Sequence, residues 1–362
     1  MRLEDYALIG DLQTAALVGR GGSVDWLCLP RFDSASCFSA LLGDERHGRW
    51  VLSPAGEPLE TTRRYRPGTL VLETEVRVAE GAVRFIDFMP LRGEGPPRMI
   101  RIVEGIEGRV PLRMQLAVRP DYASIQPWAE LSPDGATATA GPDAFGLSTS
   151  LPLTVEDGTI RSEFEVAEGA RERLTLTWHL SYAPAPLVED ADSALARTES
   201  WWRRWSDRCR YEGPYRDQVM TSLIAIKAMT SAETGAVIAA PTTSLPEDIG
   251  GVRNWDYRYC WLRDSVLALE ALLAMGYTDE ALAFRDFLLR VGTGDPETIQ
   301  IMYGVGGERR LTEFELPHLP GYEGSQPVRV GNAASEQFQL DGYGEVVGVA
   351  FLGATLIGDV EE

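Results

Sequence analysis

The densest set of chemistry-bearing side chains runs from Asn254 to Ser265, which reads Asn-Trp-Asp-Tyr-Arg-Tyr-Cys-Trp-Leu-Arg-Asp-Ser. Trp255, Tyr257, Tyr259 and Trp261 share this stretch with Asp256, Arg258, Arg263 and Asp264. Aromatic rings pack on apolar C–H faces, while Arg and Asp make directional, charge-assisted bonds to hydroxyls. Those are the two kinds of surface a sugar presents, so the segment suits one wall of a carbohydrate pocket. The same residues also suit the edge of an aromatic core with an Arg–Asp pair at the surface, because aromatics are buried more often than they line a site. Composition alone leaves the two readings level.

Other motifs carry less. Trp26 follows Gly21-Gly-Ser-Val-Asp25 and precedes Cys28-Leu-Pro-Arg-Phe-Asp33, a turn-then-strand pattern that predicts an N-terminal hairpin with Trp26 and Phe32 buried. Gly304-Val-Gly-Gly307 lacks both the third glycine of a dinucleotide fingerprint and a Gly-Lys-Ser/Thr ending, so it reads as a turn. The polar run Gly321–Asn332 carries Arg329 among turn formers, and such loops often line sites. Cys28, Cys37, Cys209 and Cys260 form no Cys-x-x-Cys pair, and His47, His179 and His318 lie far apart. Free, partly buried thiols, no metal site and no cofactor are therefore expected.

These residues need elements to hold them. As far as residue 183 the pattern has period two. Leu112, Met114, Leu116 and Val118 alternate with polar neighbours, as do Leu70, Leu72, Val76 and Val78, and Leu174, Leu176, Trp178, Leu180 and Tyr182. One apolar face per strand, with Gly, Pro and Asp between strands, predicts an antiparallel β-sandwich. Pro184–Asp192 is a linker by composition, and the period then becomes helical. A first helix is expected with Ser193 as its cap, carrying Leu195, Trp201, Trp202 and Trp205. A second would have Pro214 in its first turn and would carry Val219, Leu223 and Ile226. A third would run from about Asp264 to Met275, apolar around most of its circumference. A fourth would start near Thr278 and stop at Gly292. Strands first and helices later predict two domains.

With 54 acidic against 34 basic residues, the net charge of −20 disfavours nucleic acid and anionic membrane surfaces as partners. The start Met-Arg-Leu-Glu-Asp-Tyr has no basic region followed by an apolar run, which predicts no secretory leader and a cytoplasmic location.

In three ordered places the sequence resembles family-15 glycoside hydrolases, the group of glucoamylases and bacterial trehalase-like proteins. Ile9–Val18 with Gly22–Asp33 is similar to the start of a trehalase-like N-terminal domain. Tyr257-Arg-Tyr-Cys-Trp-Leu-Arg-Asp-Ser265 resembles the family's Tyr-x-Tyr-x-Trp-x-Arg-Asp-Ser segment. Gly324–Asn332 with Gln339–Val346 resembles the following pocket loop and helix. The resemblance implies a β-sandwich over 1–183, a linker with a helix over 184–213, and the first part of an (α/α)6 barrel over 214–362. It implies inverting hydrolysis of a terminal α-glucosyl residue, from an oligosaccharide or trehalose. Arg263 and Asp264 would hold the sugar's hydroxyls, Trp261 and Tyr257 would wall the subsite, and Arg329 would lie on the opposite loop.

Inversion needs a general acid and a general base roughly 6.5–9.5 Å apart. In the family the acid belongs to a Trp-Glu motif beyond the pocket loop, and no such pair follows Arg329. Both carboxylates are expected beyond Glu362, and nothing pairs Glu336, Glu345, Glu361 or Glu362 across a sugar. After Val347 the tail departs from the expected helix. The chain thus reads as a C-terminally truncated enzyme with an unclosed helical layer that exposes Leu267, Leu272, Phe284 and Phe287. The alternative is a non-catalytic carbohydrate-binding or interaction protein derived from such an enzyme.

Overall fold

The structure, a computed structural model, describes residues 1–293 and 296–358. Glu361 and Glu362 lie outside the described residues. Contacts divide the chain into two compact units, Met1–Arg204 and Trp205–Glu362.

The first unit is a large antiparallel sheet system organised by one strand of 20 residues, Arg98–Ala117. Its second half pairs with Arg49–Pro54 on one side and Thr159–Ala167 on the other. Its first half pairs with Gly81–Phe88 and Arg171–Leu180. The strand therefore belongs to two sheet arms and passes between them at Gly105–Gly108, where the register with Gly81–Phe88 also slips. Glycine is required at this corner. Gly108 has φ +68°, and a Cβ there would stand 2.2 Å from the Glu80 carbonyl oxygen. Between the arms lies one core that includes Trp50, Leu52, Leu72, Phe85, Leu112, Met114, Leu116 and Leu174.

The expected alternation holds at Leu112–Leu116, while at Leu70–Val78 the apolar positions are buried but Glu73 of the expected polar face is buried as well, held by Arg64 and Arg66. It fails at the end of Arg171–Leu180, where Leu180 and Tyr182 are exposed. Thr175 and Thr177 are buried on the face expected to be polar. A second, smaller core explains part of this: Ile86, Phe88, Ile100 and Ile102 turn away from the main core and are covered by Ala191, Ala194 and Leu195 of a helix. That helix spans Ala191–Ser206. Its cap is Asp190 rather than Ser193: the Asp190 carboxylate accepts the Ser193 N–H at 2.8 Å. Asp is among the best N-cap residues, and it lies three positions earlier, where the first free N–H groups point.

Trp26 and Phe32 are buried, as the hairpin reading requires. At the interior, Arg101 is fully buried and bonds Asp87 at 2.8 Å. It also donates to the carbonyls of Trp50 and Gly22, both at 2.9 Å, and so ties one arm to the other.

The second unit holds four helices of 13 residues or more among the described residues: Arg216–Ala228, Leu262–Ala274, Thr278–Val291 and Asp341–Gly358. Leu262–Ala274 packs on the two that follow it, and those two meet each other. Pro214 precedes the N-cap Tyr215 instead of standing in the first turn. Leu262–Ala274 buries one face only, with Leu262, Val266, Leu269 and Leu272 inside and Leu267 62% exposed. Leu272, Phe284 and Phe287 are fully buried, contrary to the expectation of exposed faces, because the three helices cover one another there. Burying each such side chain contributes about 1.5–3 kcal/mol. The helix starting at Asp341 continues past Val347 to Gly358, so no break occurs where the sequence pattern changes. No helix is long and apolar enough to cross a membrane among the described residues.

Candidate functional site

Short strands carry the Asn254–Ser265 segment. Asn254–Asp256 pairs with Thr243–Pro246, and Cys260–Trp261 pairs with Met302–Tyr303. Trp261 then caps the helix Leu262–Ala274 from an extended conformation, which places Arg263 and Asp264 in its first turn. An acidic group there is favoured by the helix dipole.

The four charged residues of the segment separate into two pairs. Asp256 and Arg258 are both fully buried and joined by two bonds of 2.9 and 2.7 Å. Asp256 also accepts the Gly331 N–H at 3.2 Å, and its backbone carbonyl accepts the Asn332 side chain at 3.0 Å. This pair is a structural joint between the two motif segments, so it is unavailable for the hydroxyl binding that composition allowed. Arg263 and Asp264 are about half exposed, with 3.8 Å between guanidinium and carboxylate. Their position one turn into a helix, beside a short strand, leaves them accessible.

The aromatics separate similarly. Tyr259 is buried in a core with Ile301, Met302 and Leu311. Tyr257 and Trp261 are half-buried, with ring centroids 6.4 Å apart and planes tilted by 39°. Burial pushes the Tyr257 hydroxyl up, and the Glu247 carboxylate adds to the shift. The Trp261 indole N–H is buried and has no acceptor among the described residues. A buried donor left unmatched costs free energy unless an outside group completes it.

Arg329 comes from a strand, Arg329–Val330, paired with Phe314–Glu315. Its guanidinium lies 4.7 Å from the Trp255 ring centroid, donates to the Val252 carbonyl at 2.8 Å, and stands 3.5 Å from Glu313 and 3.8 Å from Glu315. The Arg329 backbone is clamped by Ser244, whose hydroxyl accepts its N–H at 2.7 Å and donates to its carbonyl at 2.8 Å. Ser244 holds φ +57° to do so. Sequence reading missed Ser244, Glu313 and Glu315. The run Thr242-Thr-Ser244 carries no local signal that it meets a strand some 85 residues on.

The four cysteines are free and buried, more deeply than expected. Burial pushes the Cys260 thiol up to about 11, so it is a packing residue beneath the segment. Gly304–Gly307 is a turn, closed by the Gly307 N–H on the Gly304 carbonyl at 3.0 Å.

Two family models match the chain: "Trehalase-like, N-terminal" over residues 1–155 and "Glycosyl hydrolases family 15" over residues 213–353. The chain is thus similar to glycosyl hydrolase family 15 over residues 213–353 and to trehalase-like proteins over residues 1–155. Among its relatives, a protein named trehalase from Mycolicibacterium smegmatis is 36% identical over 97% of this chain and 57% of the relative. A trehalase from Thermoplasma volcanium is 32% identical over 96% of this chain and 56% of the relative. The chain thus spans just over half the length of the curated relatives it matches. A crystal structure of bacterial glucoamylase complexed with acarbose shares the fold, with a TM-score of 0.60, 14% identity, and coverage of 85% of this chain and 52% of that one.

Proposed function

We propose that the second unit grips a terminal α-glucosyl residue, as part of an inverting glycoside hydrolase of the trehalase and glucoamylase kind. In this reading its helices are the opening part of an (α/α)6 barrel. Arg263 and Asp264 bond the sugar's hydroxyls, Tyr257 and Trp261 pack on its C–H faces, and Arg329 with Trp255 forms the neighbouring loop wall. The observation that carries the reading is the half-exposed Arg263–Asp264 pair beside the half-buried rings of Trp261 and Tyr257, which puts hydroxyl-binding groups next to aromatic faces. Relatives named trehalase make trehalose the first substrate to try.

The test is calorimetric titration of the chain with trehalose and with maltose. Asp264→Ala and Arg263→Ala are each expected to weaken binding about ten- to a hundred-fold, the effect of one hydrogen bond to a charged group. Unchanged affinity in both variants would sink the assignment. Wherever hydrolysis is measured, inversion predicts β-glucose as the first product from an α-linked substrate, and retained configuration would count against it.

A further inference from the structure

The first unit contains a cavity of about 260 Å³ that the proposed glucosyl grip does not use. It opens between the two sheet arms. Leu52 lines it from one arm, and Thr61, Thr74, Val76, Phe85 and Asp87 line it from the other. The turns at 20–22 and 55–58 form its mouth.

The interior row of these strands should be wholly apolar. Thr74 stands opposite Phe85 in the ladder and Asp87 opposite Leu72, so two polar groups interrupt that row. Both line the cavity, and both are buried, at 6% and 1% exposure. Burying a polar group without a partner is unfavourable, and the Thr61 and Thr74 hydroxyls escape that cost by opening on the cavity instead of being sealed in the core. Asp87 is neutralised by Arg101, but a carboxylate has about four acceptor sites and Arg101 fills only part of them.

We propose that this cavity binds a neutral, polyhydroxylated molecule of monosaccharide size. The Thr61 and Thr74 hydroxyls and the spare acceptor capacity of Asp87 match hydroxyl groups. The accessible edges of Phe85 and Val76, at 3% and 5% exposure, give the apolar wall that a ring's C–H face needs. Arg20 and Glu57 at the mouth are of opposite sign and Asp87 at the floor is balanced by Arg101, so the lining carries no net charge and suits a neutral ligand. A metal cation is disfavoured because Arg101 already balances Asp87. The volume falls below the ~300–1,000 Å³ of sites for drug-sized ligands, which argues against a disaccharide or a nucleotide.

The test uses methyl-labelled full-length chain and D-glucose as the probe. D-glucose is expected to shift the Leu52 and Val76 methyl signals saturably. Thr74→Val, a change of nearly the same shape, is expected to weaken that saturation about two- to tenfold, the effect of one neutral hydrogen bond. Thr61→Val is expected to act likewise and serves if Thr74→Val does not fold. Asp264→Ala should leave the Leu52 and Val76 shifts in place even where it abolishes binding at the proposed glucosyl grip, so the two sites fail separately. Methyl signals at Leu52 and Val76 that do not move, or that saturate identically in both threonine variants, would overturn the proposal.

Discussion

Asp256 and Arg258 are wholly buried, whereas Arg263 and Asp264, within the same short segment, are half exposed. A buried ion pair is retained only when it is well bonded, and removing one partner leaves an uncompensated charge in the interior. The consequences of substitution therefore differ for two arginines in one motif. Arg258→Met is expected to cost about 3–5 kcal/mol of folding stability. Arg263→Met is expected to change stability by less than ~0.5 kcal/mol, as a surface substitution does, while impairing sugar binding. Urea unfolding of the two variants makes the comparison, and equal losses would show that the buried pair is not the structural joint between the two motif segments. Nothing in the residue types distinguishes the two pairs beforehand. What separates them is the Gly331 N–H and the Asn332 side-chain amide, which close over Asp256 from far along the chain.

Elements were more legible than residue environments. Period-two alternation at Leu112–Leu116 and the helix Thr278–Val291 follow local patterns, and local patterns are sufficient where one face is buried continuously. The cap of the helix Ala191–Ser206 was misread because two good capping types, Asp190 and Ser193, stand three residues apart. With Asp190 as cap, Asp190→Ala is expected to cost about 1 kcal/mol and Ser193→Ala a few tenths at most. Thermal melts of the two variants decide between them; a larger drop for Ser193→Ala would restore the original assignment. The bend in the long strand left a trace in sequence as Gly105-x-x-Gly108. Two glycines inside a strand signal a close backbone approach, but which strands approach is a matter of pairing.

Within the second unit taken whole, a buried carboxylate gives a pH dependence. Glu280 accepts the Trp205 indole N–H at 2.7 Å and lies 3.0 Å from the Lys227 ammonium. Burial alone would push its carboxyl up; Lys227 and then the Trp205 N–H outweigh that, and the net shift is downward from the usual 4.5. A carboxylate whose pKa is lower in the folded state binds protons less readily there than in the unfolded chain. Its stabilisation is thus fully present above about pH 4.5 and is lost as pH falls through the lower folded value. Glu280→Gln is expected to be less stable than the parent at pH 7 by about 3 kcal/mol, with the gap narrowing below about pH 4. Near-UV circular dichroism followed through acid titration checks this; a gap that stays constant with pH would remove Glu280 from the account.

The amino-acid sequence by itself determined the strand and helix periods, the change between them near residue 184, and the family that the motifs resemble. Each of these is written in neighbouring residues, since a period or a motif needs only local spacing. Tertiary structure decided which polar groups face solvent, which aromatics are core, that the 20-residue strand serves two arms, and that Arg329 rests on Trp255. Those outcomes depend on burial and on contacts between segments far apart in the chain, such as Thr243 with Arg329, 86 residues on. Burial is a property of what covers a residue, and the covering segment is not specified by the residue's own neighbours.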